Sequence, residues 1–453
     1  MLNSTILKEK IFKSQTTTEN CINSMEDILS WIDNLNNNTY VKISETNISD
    51  DTFWFYDDHK GEVLNRKRSF FSILGIRYFV ENKFVCEQPI ILQNEIGFLG
   101  IIAKEFNGVL HFLIQAKIEP GNVNSIQLSP TLQATKSNFT KAHGGRMPLY
   151  FDWFEEANKN GKIIYDQIQS EQGSRFIGKR NRNIILLTEK EVPMHQNYKW
   201  MTLGQIKELM KKDNLVNMDT RTVLSHLPII VDNQTTTKTN SSYQDIVSAY
   251  TLLNDYKMYN EVRKTIIPLH ELVDWEINNY GITHNKGFDF CVRYYNIEIQ
   301  GREIQAWTQP LFKATANALF VLFTSIIDGK RKFLISLCPE IGCLDKAEFA
   351  PSIQISNINN IDTNNKLHNL FLKQEKIKDG ILIDVMLSEE GGRFYHEENR
   401  NVIIEVDASE IEPEKHQLWV DADTLNFLVM HNNVLNIQLR NLISLLNIGG
   451  GKW

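Results

Sequence analysis

The stretch QSEQGSRFIGKRNRN, residues 169–183, is written a second time as LSEEGGRFYHEENRN at residues 387–401. Eight of these fifteen positions are identical, and they are Ser, Glu, Gly, Arg, Phe and the closing Asn-Arg-Asn, not interchangeable apolar residues. Two unrelated amphipathic segments would not converge on that set. Displacing the chain by about 220 positions extends the match in both directions. QP at 88–89 meets QP at 309–310, FLI at 112–114 meets FLI at 333–335, and Glu119 and Gly121 meet Glu340 and Gly342. PTLQ (130–133) meets PSIQ (351–354), and NLVNMDTRTVLSHL (214–227) meets NVLNIQLRNLISLL (433–446). An offset that stays nearly constant over so long a span is the duplication of a whole domain, because a solenoid would repeat every few tens of residues.

The repeat sets the boundaries. Residues 1–25 form an N-terminal extension, 26–232 the first repeat, 233–243 a polar linker and 244–453 the second repeat. The segment VDNQTTTKTNSS is too poor in apolar side chains to pack. Each repeat reads as a short helix (DILSWIDNL; ELVDWEI), a block of strands, then helices. In FLIQAKIEP the period-2 alternation turns Ile114, Ala116 and Ile118 to one face and Gln115, Lys117 and Glu119 to the other. A turn at Pro120-Gly121-Asn122 precedes the strand SIQLSPTLQAT. Grouped strands predict an α+β fold with mixed or antiparallel sheets.

At 453 residues, two cores are expected. The formal charge of −7 speaks against a binder of duplex nucleic acid. The N-terminus carries lysines where an export signal needs an apolar run, and ALFVLFTSII (318–327) is far short of a membrane span, so a cytoplasmic protein without a membrane segment is expected. Five cysteines, unevenly placed, do not make a disulfide framework.

The polar series Gln115, Lys117, Glu119 is followed by a second, Gln133, Thr135, Ser137, Asn138. Together they form either a solvated sheet face or the floor of a pocket for a hydroxylated ligand. Comparing the copies favours the pocket: Lys117 becomes Cys338, Gln115 becomes Ser336, and Asn138 with His143-Gly144-Gly145 has no clear counterpart. His143 before two glycines is either a loop residue or part of an anion-binding turn. Arg175, Arg182 and Arg221 recur as Arg393, Arg400 and Arg440, which fits diphosphate binding or internal ion pairs with Glu171 and Glu389. Trp307 reads as a core aromatic, and Cys338-x4-Cys343 lacks the second ligand pair of a metal site. Dinucleotide, P-loop and serine-hydrolase motifs are absent from the sequence.

The runs QAKIEPGNVNSIQLSPTLQATKSNF, HGG (143–145), QSEQGSRF, NRN, WMTLGQI and NLVNMDTRTVLSHLP, with GREIQAWTQPLF and LSEEGGRF in the second copy, resemble the NDP-hexose 2,3-dehydratases of deoxysugar biosynthesis. The resemblance covers nearly the whole chain. It implies two tandem Nudix-hydrolase-like domains, a homodimer, and a dTDP-linked 4-keto-6-deoxyhexose as substrate. The glutamate-rich Nudix hydrolase signature is found in neither copy.

The implied reaction needs no cofactor and no metal. The 4-keto group acidifies C3–H, a base removes that proton, and the C2 hydroxyl leaves with the help of an acid. A donor must stabilise the C4 oxyanion. The resemblance and the polar set place this chemistry in the first copy. Lys117 is expected at the enolate oxygen, with Glu119 or His143 as base. Thr135, Ser137 and Asn138 would hold the sugar hydroxyls and Arg175 and Arg221 the diphosphate, with Gln115, Gln133, Gly144, Gly145 and Asn217 as further substrate-binding residues. Two other readings are a Mg²⁺-dependent nucleotide-sugar hydrolase and a non-catalytic nucleotide-sugar-binding protein.

Overall fold

The computed structural model describes residues 4–135, 147–230, 240–301 and 304–446. The fold is α+β, and its two halves are built alike. Each has a seven-stranded mixed sheet. In the first half its order is 162–170, 180–188, 97–106, 109–118, 198–202, with 126–129 against 109–118 and 132–134 against 97–106. The second half repeats this with 381–388, 398–405, 319–327, 330–338 and 417–421. In both, the strand after the SEQG/SEEG motif runs parallel to the first strand of the central hairpin, Asn181 opposite Gly97 and Arg400 opposite Leu319. Proline at 130 divides the expected SIQLSPTLQAT strand into Ile126–Ser129 and Leu132–Ala134, since proline cannot donate to a ladder.

The helix expected at DILSWIDNL is Met25–Asn38, opened by a Ser24/Asp27 capping box. ELVDWEI is not its counterpart. It holds one 3-10 turn, Leu269–Glu271, and the strand Trp275–Asn278. Trp275 is buried there against Phe288 and Phe290, and burying that ring in a hairpin outweighs the local helical spacing. The true counterpart is Asn240–Tyr259, which precedes the second half's first strand as Met25–Asn38 precedes the first half's.

The halves exchange strands. Val41–Thr46 leaves the first half to pair with Phe290–Ile299, and Val262–Ile267 leaves the second to pair with Ser72–Val80. Each of the two smaller antiparallel sheets is therefore completed by a strand of the other half. The largest apolar cluster likewise draws on both, joining Phe112, Met201 and Leu224 to Phe333, Leu425 and Leu442.

The duplicated motif is where the two halves clasp one another. The Glu-x-Gly turn of each half, Glu119–Gly121 and Glu340–Gly342, enters the other's motif. Gly121 N donates to Gly391 O at 2.7 Å and Gly342 N to Gly173 O at 2.6 Å, while His396 N and Gly178 N return bonds to Gly121 O and Gly342 O. A Cβ at Gly121 would lie 1.6 Å from Phe394 O, and one at Gly342 1.9 Å from Phe176 O, so only glycine fits.

The other shared positions either cross this join or brace the motif on one side of it. Ser170 O accepts from Arg440 and Ser388 O from Arg221, each a bond between halves. Glu171 and Glu389 accept from Asn181 and Asn399. Arg182 and Arg400 form forked pairs with Asp166 and Asp384. Phe176 and Phe394 meet edge to face, their centroids 5.8 Å apart. Of the eight recurring residues, Ser, Gly, the first Arg and Phe bridge the two copies, while the Asn-Arg-Asn ending braces each motif within its own half.

Candidate active site

The clasp sets one wall of each half beside the other half's motif, and on one side it leaves a cavity of about 1280 Å³. Its floor is the polar face foreseen in the sequence: Gln115, Lys117, Glu119, Gln133 and Thr135 all line it. Lys117 Nζ lies 3.1 Å from Glu119 Oε1, and Gln133 Nε2 donates to the same oxygen at 3.1 Å. Ser129 in turn holds Gln133 at 2.9 Å. The alternation of the 109–118 strand aims these groups, because its other face carries Ile114 and Ala116 into the apolar cluster.

The second half supplies the facing wall, with Trp307, Gln309, Glu390, Gly392 and Arg393. Trp307 is half-buried: it packs against Tyr295, Ile297, Ile299 and Leu311 and also lines this cavity, its indole N–H donating to Gln309 Oε1 at 2.8 Å. Arg393 reaches Glu390 at 3.0 Å and Gln93 at 2.9 Å and lies over the Phe70 ring.

Asp219 completes the site from the first turn of the helix Met218–Leu224. Carboxylate oxygens of Glu119, Asp219 and Glu390 lie within 4.8 Å of one another, all three residues buried. Burial first, then the carboxylates of Glu171, Glu390 and Glu119, pushes the Asp219 carboxyl well above its usual range. Glu390 is raised by burial against the lowering effect of Arg393. Glu171 is raised to about 7 by burial and by Glu390, and Lys179 is lowered to about 8 by burial and by Arg393. Three carboxylate oxygens at this spacing could hold a divalent cation, yet Lys117 and Arg393 already stand against two of them with positive charge.

Three residues expected to bind substrate, Arg175 and Arg221 at the diphosphate and Asn217, sit elsewhere. Arg221 is 1 % exposed and is not in the cavity wall. Its guanidinium is taken up by Val216 O, Ser388 O and Asn441 Oδ1. Asn217 caps the 218–224 helix through Thr220 N at 2.9 Å. Arg175 lies over the Phe290 ring at 4.1 Å and 3.7 Å from Glu397, a different carboxylate from the Glu171 expected. Arg221 and Arg175 hold the join between halves, and Asn217 starts the helix that carries Arg221. Ser137, Asn138, His143, Gly144 and Gly145 lie outside the described residues.

Asp219 and Glu390 escaped the sequence reading, although a signal was available. Asp219 aligns with Gln438 and Glu390 with Gln172, so each acid has an amide in its place in the other copy. With Lys117 aligned to Cys338, three ionisable groups of this cavity have lost their charge at the equivalent place. Beside Glu340 and Glu348 the described residues leave a void of only about 10 Å³, and Ile341 there packs with Leu74, Ile76 and Ile90.

Duplicated fold and composite cavity together define an enzyme that works by moving protons on a polar ligand, with donors and acids contributed by both repeats. Comparison with known proteins makes this specific. The family model for NDP-hexose 2,3-dehydratase matches residues 25–227 and again 247–446. A dTDP-4-dehydro-6-deoxy-alpha-D-glucopyranose 2,3-dehydratase of Amycolatopsis orientalis is 34 % identical over 457 residues, covering 97 % of this chain and 93 % of the relative. Proteins of the same name are 34 % identical in Streptomyces violaceoruber (89 % and 92 % covered) and 36 % identical in Saccharopolyspora spinosa (87 % and 85 %). The chain belongs to the NDP-hexose 2,3-dehydratase family and is a hydro-lyase. Among the described residues, no helix is long and apolar enough to cross a membrane.

Proposed function

We propose that this protein removes water from dTDP-4-keto-6-deoxyglucose, giving the 3,4-diketo-2,6-dideoxy sugar still attached to its nucleotide. The observation that carries the reading is the Lys117–Glu119–Gln133 group on the floor of a large cavity, in a chain whose relatives bear that activity in their names. With the sugar's C4 oxygen beside the Lys117 ammonium, negative charge developing on that oxygen is met by a fixed donor. Glu119 takes the C3 proton, and Gln133 orients its carboxylate. Gln115 and Thr135 hold the remaining hydroxyls. Lys179 and Arg393, both lining the cavity, face the diphosphate, since Arg175 and Arg221 are committed to the join. Trp307 offers a ring face to the thymine.

The wider setting belongs to the same reading: two Nudix-like repeats at 26–232 and 244–453, a homodimer and a cytoplasmic location. Incubating the protein with dTDP-4-keto-6-deoxyglucose, without added metal or nicotinamide, tests it. Mass spectrometry is expected to find the nucleotide sugar lighter by one water, or free dTDP as that labile product decomposes. Thymidine monophosphate formed only with Mg²⁺ would assign a hydrolase instead. Thermal stabilisation by the ligand with no product would assign a binding protein.

A further inference from the structure

Asp219 is 2 % exposed, faces the cavity, and its Oδ2 has no hydrogen-bond partner. Glu119 has Lys117 and Gln133, and Glu390 has Arg393 on Oε1, although its Oε2 is also without a partner. The charged groups bearing on Asp219 come from three directions. Lys117 and Glu119 stand at the end of the 109–118 strand, Glu171 on the first half's motif with Lys179 acting on it in turn, and Glu390 and Arg393 on the second half's motif. Lys42, Lys67 and Glu298 also line the cavity, and the inner cluster about Asp219, itself included, is four carboxylates against three cations. A single bound proton balances that set. A buried carboxylate without a donor is costly, whereas a carboxylic acid has a proton to give.

We propose that Asp219 is the general acid of the elimination, held protonated beside Glu390 and delivering its proton to the C2 hydroxyl as that group departs. The assignment rests on the dehydration reading above. In the full sequence, Glu119 removes the proton from C3 and the C–H electrons form the C3–C4 enolate. The enolate re-forms the C4 carbonyl, its π electrons become the C2–C3 double bond, and the C2–O bond breaks. The oxygen takes the Asp219 proton and leaves as water. The C3 enol then returns its hydroxyl proton to Asp219 while Glu119 gives the proton it took to C2, so the sum is loss of one water and no net change in the enzyme. Glu390 from the second repeat supplies the negative neighbour that keeps the proton on Asp219, and each catalytic cycle thus needs both copies.

The test is Asp219→Asn, which resembles the protonated acid in shape and removes only the proton. The variant is expected to melt no lower than the wild type and to lose dehydration by about 10²–10⁴-fold. In D₂O its unconsumed substrate is expected to acquire deuterium at C3, because the base and the Lys117 donor remain. Dehydration within about tenfold of wild type would overturn the proposal. So would loss of C3 exchange together with dehydration in a folded variant, since that places Asp219 with the base. If the wild type neither dehydrates the sugar nor exchanges C3–H, the dehydration reading itself has failed and the proposal falls with it.

Discussion

Gly121→Ala is the substitution whose consequences the structure fixes most tightly. The new methyl would stand 1.6 Å from Phe394 O and 2.8 Å from Gly391 O, both in the opposite half. The Pro-Gly turn must withdraw, breaking Gly121 N to Gly391 O (2.7 Å) and His396 N to Gly121 O (2.9 Å). Each lost bond costs about 1 kcal/mol net, and the overpacked contact about 1–3 kcal/mol, for a total of about 3–5 kcal/mol. With an unfolding entropy of about 2.1 cal/mol/K per residue, a 453-residue chain melting as one unit gains about 0.95 kcal/mol/K. The melting temperature should therefore fall by about 3–5 °C in scanning calorimetry. Gly342→Ala, whose methyl meets Phe176 O at 1.9 Å, should show a similar fall. The two variants should part in activity: Gly121 is two residues from Glu119, whereas Gly342 adjoins the closed side. A melting temperature for Gly121→Ala within about 1 °C of wild type would refute the clasp as the seat of cohesion.

Lys117→Met should lower turnover by about 10²–10³-fold, the usual effect of losing an oxyanion donor, with ligand affinity by calorimetry changed far less. Arg221→Leu leaves Val216 O and Ser388 O without their donor; it should cost about 3–5 kcal/mol in denaturant titrations. For Glu340, burial and Glu348 raise the carboxyl to about 7. The folded state thus holds a proton that the unfolded state releases near pH 4.5, and this contribution to stability is full below about 4.5 and lost as pH rises through about 7. Relative to wild type, Glu340→Gln should gain melting temperature between about pH 5 and pH 7 and level off above that, and a flat difference across that window would remove Glu340 as the titrating group.

The alternation of FLIQAKIEP was enough to aim Lys117 and Glu119, because a strand with one face in the core has no freedom to place the other elsewhere. The recurring motif revealed the duplication, and for the repeated arginines it left diphosphate binding and internal pairing both open. Arg175 and Arg221 have the chemistry of a phosphate clamp, and only their burial shows that backbone carbonyls and a carboxylate occupy them. Asp219 and Glu390 lie 171 positions apart, on elements that meet only through the exchange between halves. No periodicity or spacing within one repeat could bring them together. The Trp275 region shows a different limit: ELVDWEI spells a helix locally, and an aromatic cluster made by residues further along the chain decides against it.

The exchanged strands also bear on how the chain emerges during synthesis. When residues 72–80 have left the ribosome, the strand that borders Gly75–Val80, Val262–Ile267, is still nearly 200 positions from being made. Until then this border is an open β edge, the kind of surface on which other chains pair. Val41–Thr46 waits longer still for Phe290–Ile299. Such long-range pairings slow folding and prolong exposure. The first repeat thus spends its early life incomplete, and the polypeptide that finishes it is the one still being translated.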